Sequence, residues 1–239
     1  MAAQIRKQQR SSQRETRVCG WEFELEARAG GAERIAGVDE VGRGPLFGPV
    51  VAAAVILPAE AKLAGLTDSK QLSEQERVRL DLVVREVALA WAIAEVDAAT
   101  IDRINILQAS RLAMRLAVSR LEQMPDCLLI DGNQRIEWGC AQRTIVKGDA
   151  RCLSIAAASV IAKVYRDRVI CELDSKFPGY GLRTNMGYPT AAHREALRRL
   201  GPTELHRRSF RGVCDPELSG AEACGFPGFP PVEDWAGDE

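Results

Sequence analysis

Residues 34–57 read RIAGVDEVGRGPLFGPVVAAAVIL. Two apolar runs, Arg34-Ile35-Ala36-Gly37-Val38 and Val50 to Leu57, flank a turn rich in glycine and proline. That pattern predicts two strands joined by a glycine-rich connection. An adjacent acidic pair, Asp39-Glu40, closes the first run, and a glycine-bracketed arginine, Gly42-Arg43-Gly44, follows at once. Two carboxylates at the end of an apolar strand are costly unless something cationic neutralises them. Backbone without Cβ atoms, with a cation beside it, can approach a phosphodiester closely. Hard carboxylate oxygens next to a phosphate-friendly loop are what magnesium-dependent phosphate chemistry needs.

Outward from this segment, residues 1–32 are polar, with a Gly30-Gly31 break. They read as a flexible N-terminal extension containing a short helix around Trp21 to Arg28. Residues 33–214 hold the apolar periodicity of a single folded domain, and 215–239, with PGFPP and seven acids, read as a weakly ordered acidic tail. Within the domain, Ser73 with Glu76 is a capping box that starts an amphipathic helix reaching about Ala90. Ala90 to Val96 reads as a third strand. Ile101 to Gln123 shows helical periodicity, with Ile106, Leu107, Leu112, Met114, Leu116 and Leu121 as its buried stripe.

Pro125 stops that helix, and Cys127 to Ile130 form a short apolar strand ending at Asp131-Gly132. Ala141 to Val146 is a further strand leading to Lys147-Gly148-Asp149. Residues 154–173 form an alanine-rich helix suited to close packing on a sheet, Phe177 to Gly187 a loop, and Thr190 to Leu200 a basic helix. Strands interleaved with helices, and apolar on both faces, predict an α/β fold.

The chain has 239 residues, 46% hydrophobic and 27% charged, which suits a soluble globular protein rather than a fibrous or disordered one. No apolar run approaches the roughly 20 residues of a membrane span, and the basic N-terminus lacks the apolar core of a secretory signal. The net charge of −1 conceals an uneven distribution. Residues 1–17 carry five Lys/Arg against one Glu, residues 193–211 six arginines, and residues 215–239 seven acids with no Lys/Arg. Without the tail the body is mildly basic, as a polyanionic partner would require. Seven cysteines with no CxxC argue for reduced thiols in a cytoplasmic setting. With only His193 and His206 present, a histidine-rich metal site is excluded and oxygen ligands remain.

Three sites share one pattern, an apolar strand followed by a carboxylate: Asp39, Asp131 and Asp149. In an α/β sheet, strand ends are where ligand sites assemble. Carboxylates converging there with Glu40 would repel unless divalent cations were shared between them. Two magnesium ions about 3.5–4 Å apart can activate a water and stabilise a leaving oxygen without a protein nucleophile. A single Asp-Gly such as Asp131-Gly132 equally serves to close a turn or cap a helix.

At this point the chain resembles the bacterial type 2 ribonuclease H family, ribonuclease HII. The likeness runs through GVDEVGRGPLFGPVVAAAVIL (37–57), DSKQLS (68–73), NILQAS (105–110), LLIDGN (128–133), KGDARCLSIAAASVIAKVYRDR (147–168), GYPT (187–190) and HRRSF (206–210). It implies a ribonuclease H-like fold, with a central mixed sheet flanked by helices. It also implies metal-dependent endonucleolytic cleavage of RNA in RNA–DNA hybrids, including single ribonucleotides embedded in duplex DNA. The products would carry 3′-hydroxyl and 5′-phosphate ends, as ribonucleotide excision requires.

By that resemblance Asp39, Glu40, Asp131 and Asp149 are the catalytic, metal-binding carboxylates for two Mg2+ or Mn2+ ions. One ion, held by Asp39 and Asp131, would ready the water, and the other, reached by Glu40 or Asp149, would steady the leaving 3′-oxygen. Gly42, Arg43 and Gly44 match the loop that recognises the ribonucleotide 2′-hydroxyl, the group that separates RNA from DNA. Tyr188 matches a tyrosine that packs on the sugar after the scissile phosphate; its alternative is a core tyrosine. The implied partners are an RNA–DNA hybrid or ribonucleotide-containing duplex DNA, bound by a monomer with no membrane attachment.

Departures from the family pattern are specific. Asn185-Met186 stands where the family has histidine and lysine, with Arg183 as a candidate replacement for the lysine, and Phe47 stands where a small residue is usual. Lys147, Lys163, Arg166 and Arg168 are candidates for phosphate contact or for structural pairing with Asp167 or Glu172. His206-Arg207-Arg208-Ser209 reads as a basic turn able to touch the DNA strand, and Asp68-Ser69-Lys70 as a helix start. Two other functions stay open: a non-catalytic hybrid binder, and a nuclease of the same fold acting on DNA junctions.

Overall fold

The computed structural model describes residues 19–214; the charged segments 1–18 and 215–239 lie outside the described residues. In chain order the elements are α1 (Glu22–Ala29), β1 (Ile35–Val41), β2 (Val50–Ile56), α2 (Glu74–Val87), β3 (Ala90–Val96), α3 (Ala98–Ser119), β4 (Cys127–Asp131) and β5 (Ala141–Ile145). A single 3-10 turn (Gly148–Ala150) follows, then α4 (Leu153–Lys176), α5 (Leu182–Asn185) and α6 (Ala191–Leu200). The strands form one five-stranded sheet in the order β3-β2-β1-β4-β5. The β1–β2 and β2–β3 pairs are antiparallel and the β1–β4 and β4–β5 pairs parallel, so the sheet is mixed, with β1 in the centre.

Burial follows position in the sheet. Strand β2 is buried at every residue and β1 along its first five, whereas edge strand β3 alternates, and β5 exposes part of its length. A central strand covered on both faces must be apolar throughout, and an edge strand need not be. On one face α3 lays Ile101, Ala109, Ala113 and Ala117 against Val38, Ala52 and Ala54. On the other, α2 and α4 bring Leu80, Val84, Ala157 and Ile161 onto Val51, Ala53 and Val55.

The start of helix α4 packs backbone to backbone on β1 because Gly37 permits it. A Cβ at that position would collide with the Ser154 carbonyl and the Ile155 nitrogen, both rigid backbone. The start of α4 therefore rests on the strand that carries the acidic pair. A separate small core of Leu46, Phe47, Ile170, Tyr180, Leu182, Ala196, Leu197 and Val213 fills the space behind the glycine-rich turn.

Several sequence expectations need adjusting. The predicted 101–123 helix starts earlier, at Ala98, where Asp97 Oδ1 accepts from Thr100 N at 2.7 Å, and ends at Ser119. It breaks at Asn105 (φ 63°, ψ 165°), whose Oδ1 caps the second half by accepting from Gln108 N at 3.1 Å. Of the expected stripe only Met114 and Leu121 are buried, while Ile106, Leu107, Leu112 and Leu116 are half-buried, because the second half of the helix turns Ala109, Ala113 and Ala117 onto the sheet. The 177–187 loop contains the short helix α5. Asp39 lies within β1 rather than at its end.

Residues 19–32, expected to be part of a flexible extension, are docked from Cys19 onward. Phe23 and Glu24 of α1 are buried, and Glu24 Oε1 accepts from Ser154 N (2.8 Å) and Ser154 Oγ (2.7 Å) at the head of α4. The capping box at Ser73 forms as predicted. Cys19, Cys127, Cys140, Cys152, Cys171 and Cys214 are free thiols. No helix among the described residues is long and apolar enough to cross a membrane.

Candidate active site

The sheet register assembles the acids. Strands β1 and β4 run parallel with Val38 opposite Ile130, so Asp39 and Asp131, each one residue further on, stand side by side. Asp131 Oδ1 accepts from Gly148 N at 2.7 Å, which folds the Lys147–Ala150 segment back over the strand ends and brings Asp149 alongside. Glu40 follows Asp39 directly. Asp39 is only 6% exposed and Asp149 7%.

The electrostatics are those of acids lying close to one another. Burial pushes the Asp39 carboxyl well above the usual carboxylate range, and the charges of Glu40, Asp131 and Asp149 push it the same way, against a hydrogen bond from Ser159. Glu40 is raised by burial and by Asp131, with Arg43 opposing. Asp149 is raised by burial, Asp131 and Asp68, with Lys70 opposing.

Each acid is held by a protein donor. Asp39 Oδ1 accepts from Glu40 N (2.7 Å), Glu40 Oε1 from Arg43 Nη1 (3.1 Å), and Asp149 Oδ2 lies 3.5 Å from Lys70 Nζ. Among the described residues no three His, Cys, Asp or Glu side chains close into a ready-made metal cage. The donor set nevertheless suits a hard divalent cation. Glu40 Oε2 is buried with no hydrogen-bond partner, and two cationic side chains face four carboxylates. All the available donors are oxygens, which favours Mg2+ or Mn2+ over zinc.

Beside the acids runs the Gly42-Arg43-Gly44 loop. Gly42 has φ +89°, and a Cβ there would strike the Arg166 side chain. Arg43 and Gly44 are exposed. Tyr188 is 41% exposed and is not a core residue; that place is taken by Tyr180. A Cβ on Gly44 would lie 3.7 Å from Tyr188 Cε1, so ring and loop line one surface.

Behind that surface lie two fully buried arginines. Arg166 donates to the carbonyls of Pro49, Met186 and Phe47, each at 3.2 Å. Arg207 donates to those of Gly48 (3.0 Å), Arg43 (3.0 Å) and Gly42 (2.6 Å). The expected basic turn at 206–209 is therefore corrected in part: His206 and Arg207 point inward and cannot touch DNA. Asp102 fixes the turn by accepting from Arg208 N and Ser209 N.

The departures at 185–186 and 47 also find places. Asn185 is buried, with Nδ2 donating to Tyr180 O (2.7 Å) and Oδ1 accepting from Gly187 N (2.8 Å), so it shapes the Tyr188 loop from inside. Arg183 lies against Asp174, with its Nε 3.9 Å from Oδ2. Phe47 is fully buried and packs edge-on to Phe177 and His206. Lys163 pairs with Asp167. Lys147 is exposed in a left-handed conformation beside Gly148.

Sequence reasoning missed Lys70, read as part of a helix start. Burial works against its charge, but Asp149, Asp68 and Asp39 outweigh that and hold its pKa up. It missed Ser159 as well, whose Oγ lies 3.0 Å from Ser69 Oγ and which supports Asp39. The recurrence of small polar residues, Ser154 and Ser159, in the otherwise apolar first half of α4 was the available signal.

Comparison with known proteins agrees with this architecture. A chain from Solibacter usitatus called Ribonuclease HII is 54% identical over 195 residues, covering 82% of this chain and 85% of that one. Ribonuclease HII from Nitrosococcus oceani is 51% identical over 181 residues, covering 76% and 90%. The crystal structure of ribonuclease H2 from Pyrococcus horikoshii superposes with a TM-score of 0.66 at 25% identity, covering 78% of this chain and 97% of that one. The fold is thus ribonuclease H-like. With the family model for Ribonuclease HII matching residues 36–213, the chain belongs to the ribonuclease HII family and is a ribonuclease H, an endonuclease that hydrolyses phosphodiesters.

Proposed function

We propose that this enzyme cuts RNA in RNA–DNA hybrids and nicks duplex DNA 5′ of a single embedded ribonucleotide, leaving 3′-hydroxyl and 5′-phosphate ends. One juxtaposition carries this reading: four mutually repelling acids stand next to a glycine loop whose outer face meets an exposed tyrosine. Asp39, Glu40, Asp131 and Asp149 would hold two divalent ions, Mg2+ or Mn2+, which when bound supply an activated water and charge neutralisation at the phosphate.

The chain's own residues do the rest. Asp39, propped by Ser159 and the Glu40 N–H, offers a fixed carboxylate at the sheet centre. Arg43 and Lys70 pair with Glu40 and Asp149, which puts two cations beside the acids where a substrate phosphate would be met. Gly42, Arg43 and Gly44 bring backbone to the 2′-hydroxyl, and Tyr188 offers a flat face to the following sugar, tolerating deoxyribose and disfavouring an added hydroxyl. A monomer would suffice for this reading, and the free cysteines fit a reducing, cytoplasmic setting.

A duplex carrying one ribonucleotide tests the proposal. With Mg2+ or Mn2+ the strand should be cut once, 5′ of the ribonucleotide, and an all-DNA duplex should stay intact. No cut at the single ribonucleotide, or cutting of DNA junctions instead, would overturn it.

A further inference from the structure

We infer that Arg207 is a positioning residue for sugar selection: its buried guanidinium draws the carbonyls of Gly42 and Arg43 inward, which turns the N–H groups of Arg43 and Gly44 outward as a paired donor for the 2′-hydroxyl. The inference rests on the proposal that this loop reads the 2′-hydroxyl and says what holds it in a reading conformation.

The geometry follows from peptide planarity. In a trans peptide the C=O and the N–H of the next residue point in opposite directions. Arg207 Nη2 donates to Gly42 O at 2.6 Å, so the Arg43 N–H points away from the guanidinium. Arg207 Nη1 donates to Arg43 O at 3.0 Å, so the Gly44 N–H does the same. Arg207 is completely buried while Arg43 and Gly44 are exposed, so "away" means toward solvent. Neither N–H donates to another described residue. Two adjacent outward donors with no internal partner, beside the Tyr188 ring, are placed to meet one hydroxyl oxygen.

Only a guanidinium does this. It presents a rigid planar fork, and here Nε, Nη1 and Nη2 reach three different carbonyls of the same turn. A lysine ammonium is a point charge on a flexible stem and cannot fix two peptide planes at once. Arg207 is itself locked in place. Its own N–H donates to Leu46 O at 2.8 Å, the preceding His206 packs on Phe47, and Arg166 ties Phe47 to the Tyr188 loop through Met186 O. The two donors and the tyrosine are thereby held in one frame.

The test is a two-by-two cycle of wild type and Arg207→Lys against duplexes with either a ribonucleotide or a deoxyribonucleotide at the junction. Binding is followed by fluorescence anisotropy in EDTA so that no strand is cut. Two hydrogen bonds to one hydroxyl are worth about tenfold or more in affinity. Wild type should lose that factor on the deoxy duplex, whereas Arg207→Lys should lose about threefold or less. Damage of a merely structural kind would weaken both duplexes alike, and an equal loss in the two proteins would overturn the inference. If wild type itself does not distinguish the duplexes, the loop's assignment falls first and the role of Arg207 with it.

Should the variant fail to fold, judged by circular dichroism, 15N-labelled wild type answers instead. The amide resonances of Arg43 and Gly44 should move with the ribonucleotide duplex and much less with the deoxy one. Equal movement with both would overturn the inference.

Discussion

Replacing Asp39 by asparagine should stabilise the metal-free protein while abolishing cleavage. Asp39 is 6% exposed and sits among three other acids, with the Glu40 N–H at 2.7 Å and the Ser159 hydroxyl in return. Adjacent strands lie about 4.8 Å apart, so a neighbouring carboxylate about 5 Å away, at an effective dielectric constant of about 20, repels Asp39 by about 3 kcal/mol. Asparagine keeps the Oδ1 acceptor and removes the charge. Allowing for relaxation in wild type, a net gain of about 2 kcal/mol is expected, and for a chain of this size that raises Tm by about 4–8 °C.

The pH dependence has a definite sign. Because the folded-state pKa of Asp39 is raised, its contribution to stability is complete below the ordinary carboxylate value and is lost as pH climbs through the raised one. The variant lacks that loss. Its advantage should therefore be largest at about pH 8 and nearly vanish at about pH 4. Thermal unfolding in EDTA at several pH values measures this directly. Adding Mg2+ should then raise the wild-type Tm and move the variant much less. A variant less stable than wild type in EDTA at about pH 8, or two proteins responding equally to Mg2+, would refute the reasoning.

Three further outcomes are expected. Gly37→Ala should cost about 3 kcal/mol or more, since its Cβ would meet only the backbone of Ser154 and Ile155; chemical denaturation and soluble yield check this. Tyr188→Ala should leave stability within about 0.5 kcal/mol of wild type but lower kcat/KM at a single ribonucleotide by about tenfold, with Tyr188→Phe retaining most activity, as the proposed use of the ring face rather than the hydroxyl requires. Glu24→Ala should cost about 1–3 kcal/mol by leaving Ser154 N at the head of α4 without its acceptor, and amide hydrogen exchange at Ser154 should rise, with Glu24→Gln milder.

Much of this structure was legible in the sequence wherever a local pattern maps onto one element. The apolar runs around the glycine-rich turn became β1 and β2, and Ser73 with Glu76 became a capping box. The four acids could be named as a set, and the register of β1 on β4 puts Asp39 next to Asp131. What stayed hidden depends on which distant partner a side chain finds. Arg207 looks like any basic surface residue, because a guanidinium buried against carbonyls leaves no mark on its neighbours in sequence. Glu24 looked like one polar residue in a polar extension, yet it is 2% exposed and caps a helix more than a hundred positions away. Asn105 sits in a stretch that reads as one helix, and its break shifts burial from the expected leucines to Ala109, Ala113 and Ala117.

The contact between Arg207 and Gly42 spans 165 positions of the chain, so its two ends are made at very different times. A protein emerging from its N-terminus exhibits Asp39, Glu40 and the glycine loop early, acquires Asp131 and Asp149 midway, and gains Arg207 almost last. Closing so long a loop is slow compared with forming α3 or α4. On the proposed roles, the acids therefore precede the brace for the loop that would choose the sugar. A nascent chain interrupted after α4 would hold all four proposed metal-binding acids and lack the guanidinium that braces the glycine loop. If the loop reads the sugar as proposed, fidelity is a late event in the life of each molecule, arriving with the turn at residues 203–207.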